Sequence, residues 1–394
     1  MLPWTGGGLE ELSLINRVLA ISNHSIMLGG GEHSFLDIAS HMPLDWKVAA
    51  AVPCGGELEV RLRRRGVETQ VLALPAIRPW GLVRIIAALR SYLRQCHRYR
   101  PALIYANGSR AAFYGGIAGR LLRVPVIWHC RIAQSDPYLD PILVRLSSRI
   151  ITNSQATTRR FSPHFQAKIS MIYNGVDILW LQEGNVKLPN LIQKDWKVIL
   201  TVARVSKWKR HDLVLSAFEQ IAKYDSKLNL VCLGAKDEWE PDWWKHLQER
   251  TRQSPLSQRI HWVGQVDDVR PWYRSADMFV LASENEPFGR VIVEAMACGL
   301  PVIATRSGGV PEIIRHEKEG LLVSPGNVKE LTGAMKRLLK DDPLRKHLIS
   351  SGHQRSAYFS LENHMAKMVK IFDETIDSKR PPNRVKSVPP QTTN

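Results

Sequence analysis

The chain has 394 residues, 44% of them hydrophobic and 23% charged, with a formal net charge of +17. This is the composition of an ordinary soluble globular protein, long enough for two domains. No run of about 18 uncharged apolar residues is present, which excludes a membrane-spanning helix, and Glu10 and Glu11 interrupt what would be the apolar region of a signal peptide.

The five cysteines, at 54, 96, 130, 232 and 298, form no C-x-x-C pair and no Cys/His metal spacing. Reduced thiols in a cytoplasmic chain are expected, with no structural zinc. The positive charge is uneven. From Thr69 to Ser135 there is no Asp or Glu, while Arg78, Arg84, Arg90, Arg94, Arg98, Arg100, Arg110, Arg120, Arg123 and Arg131 fall inside that window. Such a field attracts nucleic acid, anionic lipid or an anionic substrate.

In chain order, RVLAISNHSIMLGG (17–30) reads as a buried strand and a Gly-rich turn, and EHSFLDIASHM as the helix that follows it. WKVAAAV, VETQVLAL, ALIYANG, PVIWHC, RIITNS and ISMIYNG supply further apolar strands. Between the earlier of these lie helical stretches, among them LEVRLRRRG, WGLVRIIAALRSYLRQCHRY and RAAFYGGIAGRLL. Apolar strands alternating with helices predict a parallel sheet covered on both faces. The pattern pauses over DILWLQEGNVKLPNLIQKDW and restarts with KVILTVAR, LNLVCLGA, RIHWVGQV, MFVLASE, PVIATRS and GLLVSP. Two doubly wound α/β domains are therefore expected, with ligands at the carboxyl ends of the strands and in the cleft between domains. The expected division is an N-terminal extension over 1–16, a first domain over 17–180 and a linker over 181–195. A second domain over 196–360, a helix over 361–377 packing back toward the first domain and a disordered tail over 378–394 complete it.

The segment ENEPFGRVIVEAMACGLPVI places Glu286 in a loop at a strand's carboxyl end and Glu294 within the following helix. About 7.5 Å of helix axis separates Gly289 from Glu294. The free amides near Phe288 and Gly289 make an anion site, and an acid on either side suits a ligand with hydroxyls at both ends and phosphate between them. The alternative is a solvated Glu286 and a Glu294 paired with Arg290 four residues earlier. In TVARVSKWKRHDLVL, Arg204 and Lys209 follow the first strand of the second domain and could neutralise a diphosphate; a plain basic surface loop is the alternative. Gly29, Gly30 and Gly31 allow close backbone approach without forming the dinucleotide G-x-G-x-x-G pattern. His129 ends the strand PVIWHC.

Together these residues resemble glycosyltransferase family 4, the retaining enzymes of the two-Rossmann GT-B fold. Glu286 and Glu294 match its E-x7-E motif, ARVSKWKR its G-R-x-x-x-x-K-G donor motif, and GGGEHSFLDIA its N-terminal Gly-Gly loop. The resemblance covers about residues 17–375 and is looser in the first domain. It implies that Arg204 and Lys209 hold the donor diphosphate, Glu286 the transferred sugar and Glu294 the ribose. Phe288 and Gly289 would add backbone amides, Gly30 and Gly31 would face the diphosphate, and His129 would lie near sugar and acceptor. Two departures stand out: Ala203 where Gly is common, tolerable if φ is negative, and Arg210 in place of the final Gly, which could crowd the loop if φ must be positive.

The resemblance implies transfer of a sugar, with a hexose expected, from a UDP- or GDP-linked donor to a lipid-linked or saccharide acceptor, with retained configuration. The setting would be glycolipid or surface polysaccharide biosynthesis. No cofactor is expected, and no Asp-x-Asp metal motif lies near the site. The helix at 82–99 has an arginine face (Arg84, Arg90, Arg94, Arg98, with His97) opposite Leu82, Ile85, Ile86, Leu89 and Leu93. It could rest on an anionic membrane, giving a cytoplasmic protein peripheral to the inner face, or pack on the core with its arginines in water. Other readings are a basic nucleic-acid-binding protein, for which no recognised motif exists, or a catalytically silent sugar-nucleotide binder.

Overall fold

The structure, a computed structural model, describes residues 16–184 and 186–378. The expected N-terminal extension and tail lie outside these residues, apart from Asn16 and Ser378. The first half runs β1 (Asn16–Ser22), α1 (Gly30–Ser40), β2 (Trp46–Val52), α2 (Glu57–Arg64), β3 (Glu68–Val71), α3 (Leu82–Tyr99), β4 (Leu103–Asn107), α4 (Ser109–Leu122), β5 (Val126–Cys130), α5 (Asp140–Leu146), β6 (Arg149–Thr152), α6 (Gln155–Thr158) and β7 (Ile169–Met171). The chain then crosses over through α7 (Ile178–Gln182). The second half runs β8 (Lys197–Val202), α8 (His211–Ala222), β9 (Leu228–Leu233), α9 (Pro241–Gln253), β10 (Ile260–Gly264), α10 (Arg270–Arg274), β11 (Met278–Leu281), α11 (Arg290–Ala297), β12 (Val302–Thr305), α12 (Val310–Ile313), β13 (Leu321–Val323), α13 (Val328–Lys340), α14 (Asp342–Ser356) and α15 (Leu361–Asp377).

Two sheets result, ordered β3-β2-β1-β4-β5-β6-β7 and β10-β9-β8-β11-β12-β13. Each reverses its winding at its first strand, β1 in one and β8 in the other, so a crevice opens beyond the carboxyl ends of these strands. All the strand pairs are parallel. The strands are apolar on both faces because helices cover both. In β1, Leu19 and Ile21 face one core while Val18 and Ala20 face another; β8 divides likewise, Val198 and Leu200 against Ile199.

α15 belongs to the first domain by packing although it follows the second domain in sequence. Its Leu361, Met365, Met368, Phe372 and Ile376, at helical spacing, are buried beside Val18, Ala20, Tyr105 and Ile127. The Ser360 side chain accepts from the Asn363 N–H (3.2 Å) and starts this helix. The two chain crossovers between domains lie side by side: Val176 N–H donates to Phe359 O and Leu361 N–H to Val176 O, both at 2.9 Å. Gly175 permits this, since a Cβ there would lie 2.6 Å from His364 Cβ and 3.0 Å from Leu361 Cα. Gly175→Ala is expected to force the crossovers apart and lower stability by roughly 1–3 kcal/mol, read as a lower urea midpoint.

Three histidines are buried. Burial, and then the Arg131 guanidinium, holds His129 well below 6.5 and brings His364 down to about 3. Burial, and then Lys209, lowers His211 to about 4. The unfolded chain takes up these protons near pH 6.5 and the folded chain does not. Stability is therefore lost as pH falls below 6.5, by up to about 1.4 kcal/mol per pH unit for each imidazole. The melting temperature should drop between pH 7 and pH 5, and His364→Asn should show a shallower decline.

Candidate active site

The loops after β8, β9, β11 and β12 meet at one edge of the second sheet. In the first of them Lys207–Lys209 form a single 3-10 turn. This brings Lys209 Nζ to 2.6 Å from Glu286 Oε2 and 4.0 Å from the centre of the Trp208 ring. Lys209 and Glu286 are thus direct partners, both largely buried. An ammonium has three donors, so Lys209 can hold Glu286 and still reach an oxyanion. Arg210 adopts φ 54° and ψ 44°, so this position does require the left-handed region. The arginine is held there by Asp212 and Glu284, which both bind its guanidinium, rather than crowding the loop. Ala203 is absent from the positive-φ residues.

Arg204 Nε lies 3.2 Å from the buried Asp237 Oδ2, and its guanidinium sits 5.7 Å from the Trp239 ring centre. Asp237 also accepts from the Trp239 N–H at 3.1 Å. Trp239, 64% exposed, faces His24 of the first domain with ring centres 6.2 Å apart. Arg204 therefore stands at the cleft with one edge tied back by Asp237.

Gly289 has φ 103° and leads into α11; a Cβ there would also lie 2.9 Å from Ile292 Cδ1. The Phe288 side chain is buried against the Tyr173 and Phe359 rings, leaving its backbone as the part that could serve a ligand. Glu294 accepts from Arg290 Nε and from Tyr273 O–H, each at 3.0 Å. The sequence alternative of a Glu294–Arg290 pair is thus present. Its side chain remains 14% exposed, and a carboxylate has more lone pairs than these two bonds use.

The first domain presents the N-terminus of α1. The helix begins at Gly30, not at Glu32 as the sequence suggests, because the Glu32 carboxylate accepts from the Gly29 N–H (3.1 Å) and draws both glycines into the first turn. A Cβ on Gly30 would lie 3.7 Å from Arg290 Cβ, and one on Gly31 3.5 Å from Arg131 Cδ. The starts of α1 and α11 therefore abut across the cleft. Arg131 is held behind α1 by Asn107 (Nε–H to Oδ1, 2.6 Å), Asn174 (Nη1–H to Oδ1, 2.6 Å) and Ser34 (Nη2–H to Oγ, 2.9 Å).

His129 is fully buried between the sheet and α15. Its Nδ1 lies 2.8 Å from Tyr105 O–H and 3.2 Å from Arg131 Nη2, while Nε2 has no partner. Its hydrogen bonds do not join it to Lys209 and Glu286.

Sequence reasoning missed Asp237, Trp239, Tyr273 and Asp37 and saw Arg131 only as one arginine in a basic window. Arg131 follows a strand's carboxyl end, as do Arg204 and Glu286, and that position was the available signal. Glu312 was also missed. It accepts from the N–H groups of Gln155 (2.8 Å) and Ala156 (3.1 Å), tying α12 to the start of α6 across the domains.

Residues 28–178 match the profile described as Glycosyltransferase Family 4, and residues 185–355 that described as Glycosyl transferases group 1. An uncharacterized glycosyltransferase of Methanocaldococcus jannaschii is 28% identical over 57% of this chain. The N-acetyl-alpha-D-glucosaminyl L-malate synthase of Bacillus anthracis is 34% identical over 40% of it. The matches span 60% and 40% of those two proteins' lengths. The Anabaena protein HepE, solved in complex with UDP and glucose, is 25% identical; the superposition covers 90% of this chain and 99% of HepE with a TM-score of 0.80. The chain belongs to glycosyltransferase family 4, the group 1 glycosyl transferases, and has the GT-B fold of two α/β domains facing across a cleft.

Proposed function

We propose that the protein transfers a sugar, a hexose in our reading, from a nucleotide-diphosphate donor to an acceptor with retained configuration and no metal ion. The observation that carries this reading is the meeting of Lys209, Glu286, Arg204 and the start of α11 at one sheet edge, opposite the start of α1. HepE has been solved with UDP and glucose, which supports a UDP-linked donor; a GDP-linked donor is the other candidate. Glu294 binds the ribose, Glu286 the sugar hydroxyls, and the Phe288 and Gly289 amides the phosphate and sugar. As the glycosidic bond breaks, charge builds on the diphosphate. Lys209, Arg204, the two helix starts and the Arg131 field behind α1 stabilise it without reorganising. Lys209 is neutralised by Glu286 and Arg204 by Asp237, so a diphosphate competes with these carboxylates for cations already in place. His129, neutral and enclosed, acts by orienting Arg131 and Tyr105.

The acceptor side carries a second observation. Trp80, Leu82, Val83 and Ile86 are 81%, 61%, 81% and 41% exposed. The sequence puts Leu82 and Ile86 on the apolar face of α3, opposite its arginines. Ile85, Leu89 and Leu93 of that face do pack on the core, beside the buried Ala88, Tyr92, Gln95, Cys96 and Tyr99, while Leu82, Val83 and Ile86 at the start of the helix stand clear of it. An apolar tip flanked by Arg78, Arg84 and Arg90 suits the surface of an anionic bilayer, and we assign this face to a lipid-linked acceptor of glycolipid or surface polysaccharide assembly at the inner face of a membrane. Among the described residues no helix is long and apolar enough to cross one.

A thermal-shift panel of nucleotide sugars should reveal the donor as the compound that raises the melting temperature, and transfer of that donor should survive a chelator; loss of transfer with chelator refutes the metal-free reading. Lys209→Ala should lower kcat by about 10²–10³-fold, as removal of an oxyanion-stabilising donor does. Glu294→Ala should chiefly weaken nucleotide binding and Glu286→Ala chiefly lower turnover. Wild-type kinetics in these variants would refute the assignments. Sedimentation with anionic vesicles should retain the protein, and Val83→Asp with Trp80→Ala should release it; equal retention on neutral vesicles would refute the membrane assignment.

A further inference from the structure

Arg290 is shared between the two domains. Its Nη1–H donates to Asp37 Oδ2 on α1 at 2.8 Å, and its Nε–H to Glu294 Oε1 on its own helix at 3.0 Å. Asp37 is also 3.2 Å from Arg65 Nη1 at the end of α2. The result is a line of alternating charge, Glu294–Arg290–Asp37–Arg65, running from the second domain into the first. The middle of the line is well enclosed: the Arg290, Asp37 and Glu294 side chains are 12%, 8% and 14% exposed. Burial opposes the charge on Asp37, yet Arg290 and then Arg65 hold its carboxyl below the usual range. Burial likewise opposes the charge on Arg290, and Asp37 and Glu294 outweigh it.

We infer that Asp37 and Arg290 are positioning residues that couple nucleotide binding in the second domain to the approach of the first. This rests on the reading that Glu294 takes the ribose. Glu294 is oriented on one oxygen by Arg290 and on the other by Tyr273. The Arg290 guanidinium is fixed in turn by a carboxylate on the opposite domain. Only when α1 stands against α11 does Glu294 have both supports at full strength. Asp37 lies seven residues into α1, about 10 Å along the axis from Gly30, so the same ion pair sets how closely the two helix starts face one another. Coupling of this kind is reciprocal: what holds the cleft closed raises nucleotide affinity, and nucleotide favours closure.

The test is calorimetric titration of UDP and of GDP into the full chain, its Asp37→Asn and Arg290→Met variants, and the double variant. Arg290→Lys serves as a variant that keeps the charge but replaces the planar two-edged fork with a single ammonium. Asp37→Asn should weaken the bound nucleotide by about tenfold, within the usual range of coupling between sites. Arg290→Met should do at least as much, Arg290→Lys should fall between wild type and Arg290→Met, and the double variant should be no weaker than Arg290→Met alone, because Asp37 acts through Arg290. A residue that merely aids folding would lower the melting temperature without this non-additivity. If wild type binds a nucleotide and Asp37→Asn binds it equally well, or if the two losses add in full, the coupling is overturned while the nucleotide reading stands. If wild type binds neither nucleotide, the reading of Glu294 fails and the coupling falls with it.

Discussion

Two helix starts meeting across a cleft impose the constraint on which the rest of this molecule is arranged. Gly30 has no side chain, and the stem of Arg290 fills the space beside it, with Arg290 Cβ 3.7 Å from where a Cβ would be. The starts of α1 and α11 lie against one another, and each helix start carries positive character of its own before any side chain is counted. Bringing two such ends together is unfavourable unless negative charge accompanies them. That charge comes from Glu32 at the start of α1, from Asp37 beside Arg290, and from Glu286 against Lys209.

The site is therefore a set of cations already matched by carboxylates. Lys209 and Arg204 each have a buried acid partner, and Arg131 has amide and hydroxyl partners in place of one. This distribution follows from the cost of burying charge: a guanidinium or ammonium removed from water needs polar contacts on several sides. It also keeps the cations in fixed positions. On the proposed reading, a diphosphate entering the cleft would meet groups whose desolvation and ordering were completed when the protein folded, which is the condition under which electrostatic stabilisation of a leaving group is most effective.

Much of this arrangement was legible in the sequence, for reasons that differ between elements. The strands stood out because both faces of each are apolar, and their alternation with helices implied parallel order. Glu286, Glu294, Arg204 and Lys209 stood out because strand ends and helix starts in such folds are where ligands bind. What could not be read is contact between distant segments. Asp37 and Arg290 are 253 positions apart, and nothing in FLDIASHM marks its aspartate as facing another domain. The overhang of α3 was hidden because a helix of amphipathic pattern does not reveal which of its turns reach the core. Trp239 and Asp237 lie in a loop with no periodicity to signal them. The positive φ of Arg210 was anticipated as a difficulty, but its remedy, ion pairs to Asp212 and Glu284, depends on tertiary placement.

The return of α15 to the first domain bears on how the chain acquires its shape during synthesis. Five apolar side chains of this helix, between Leu361 and Ile376, complete a core whose other members lie between Val18 and Ile172 and are made far earlier. Domains usually fold in the order they leave the ribosome, but here the first sheet, with α1 and α2 already on that face, must wait with part of it uncovered until the residues of α15 have emerged. The second domain, whose strands and covering helices are nearly contiguous in sequence, can finish first. The early-made half would then be the stretch that depends on chaperone protection in the interval, and a ribosome stalled before α15 would release a chain whose later-made domain is the better folded of the two.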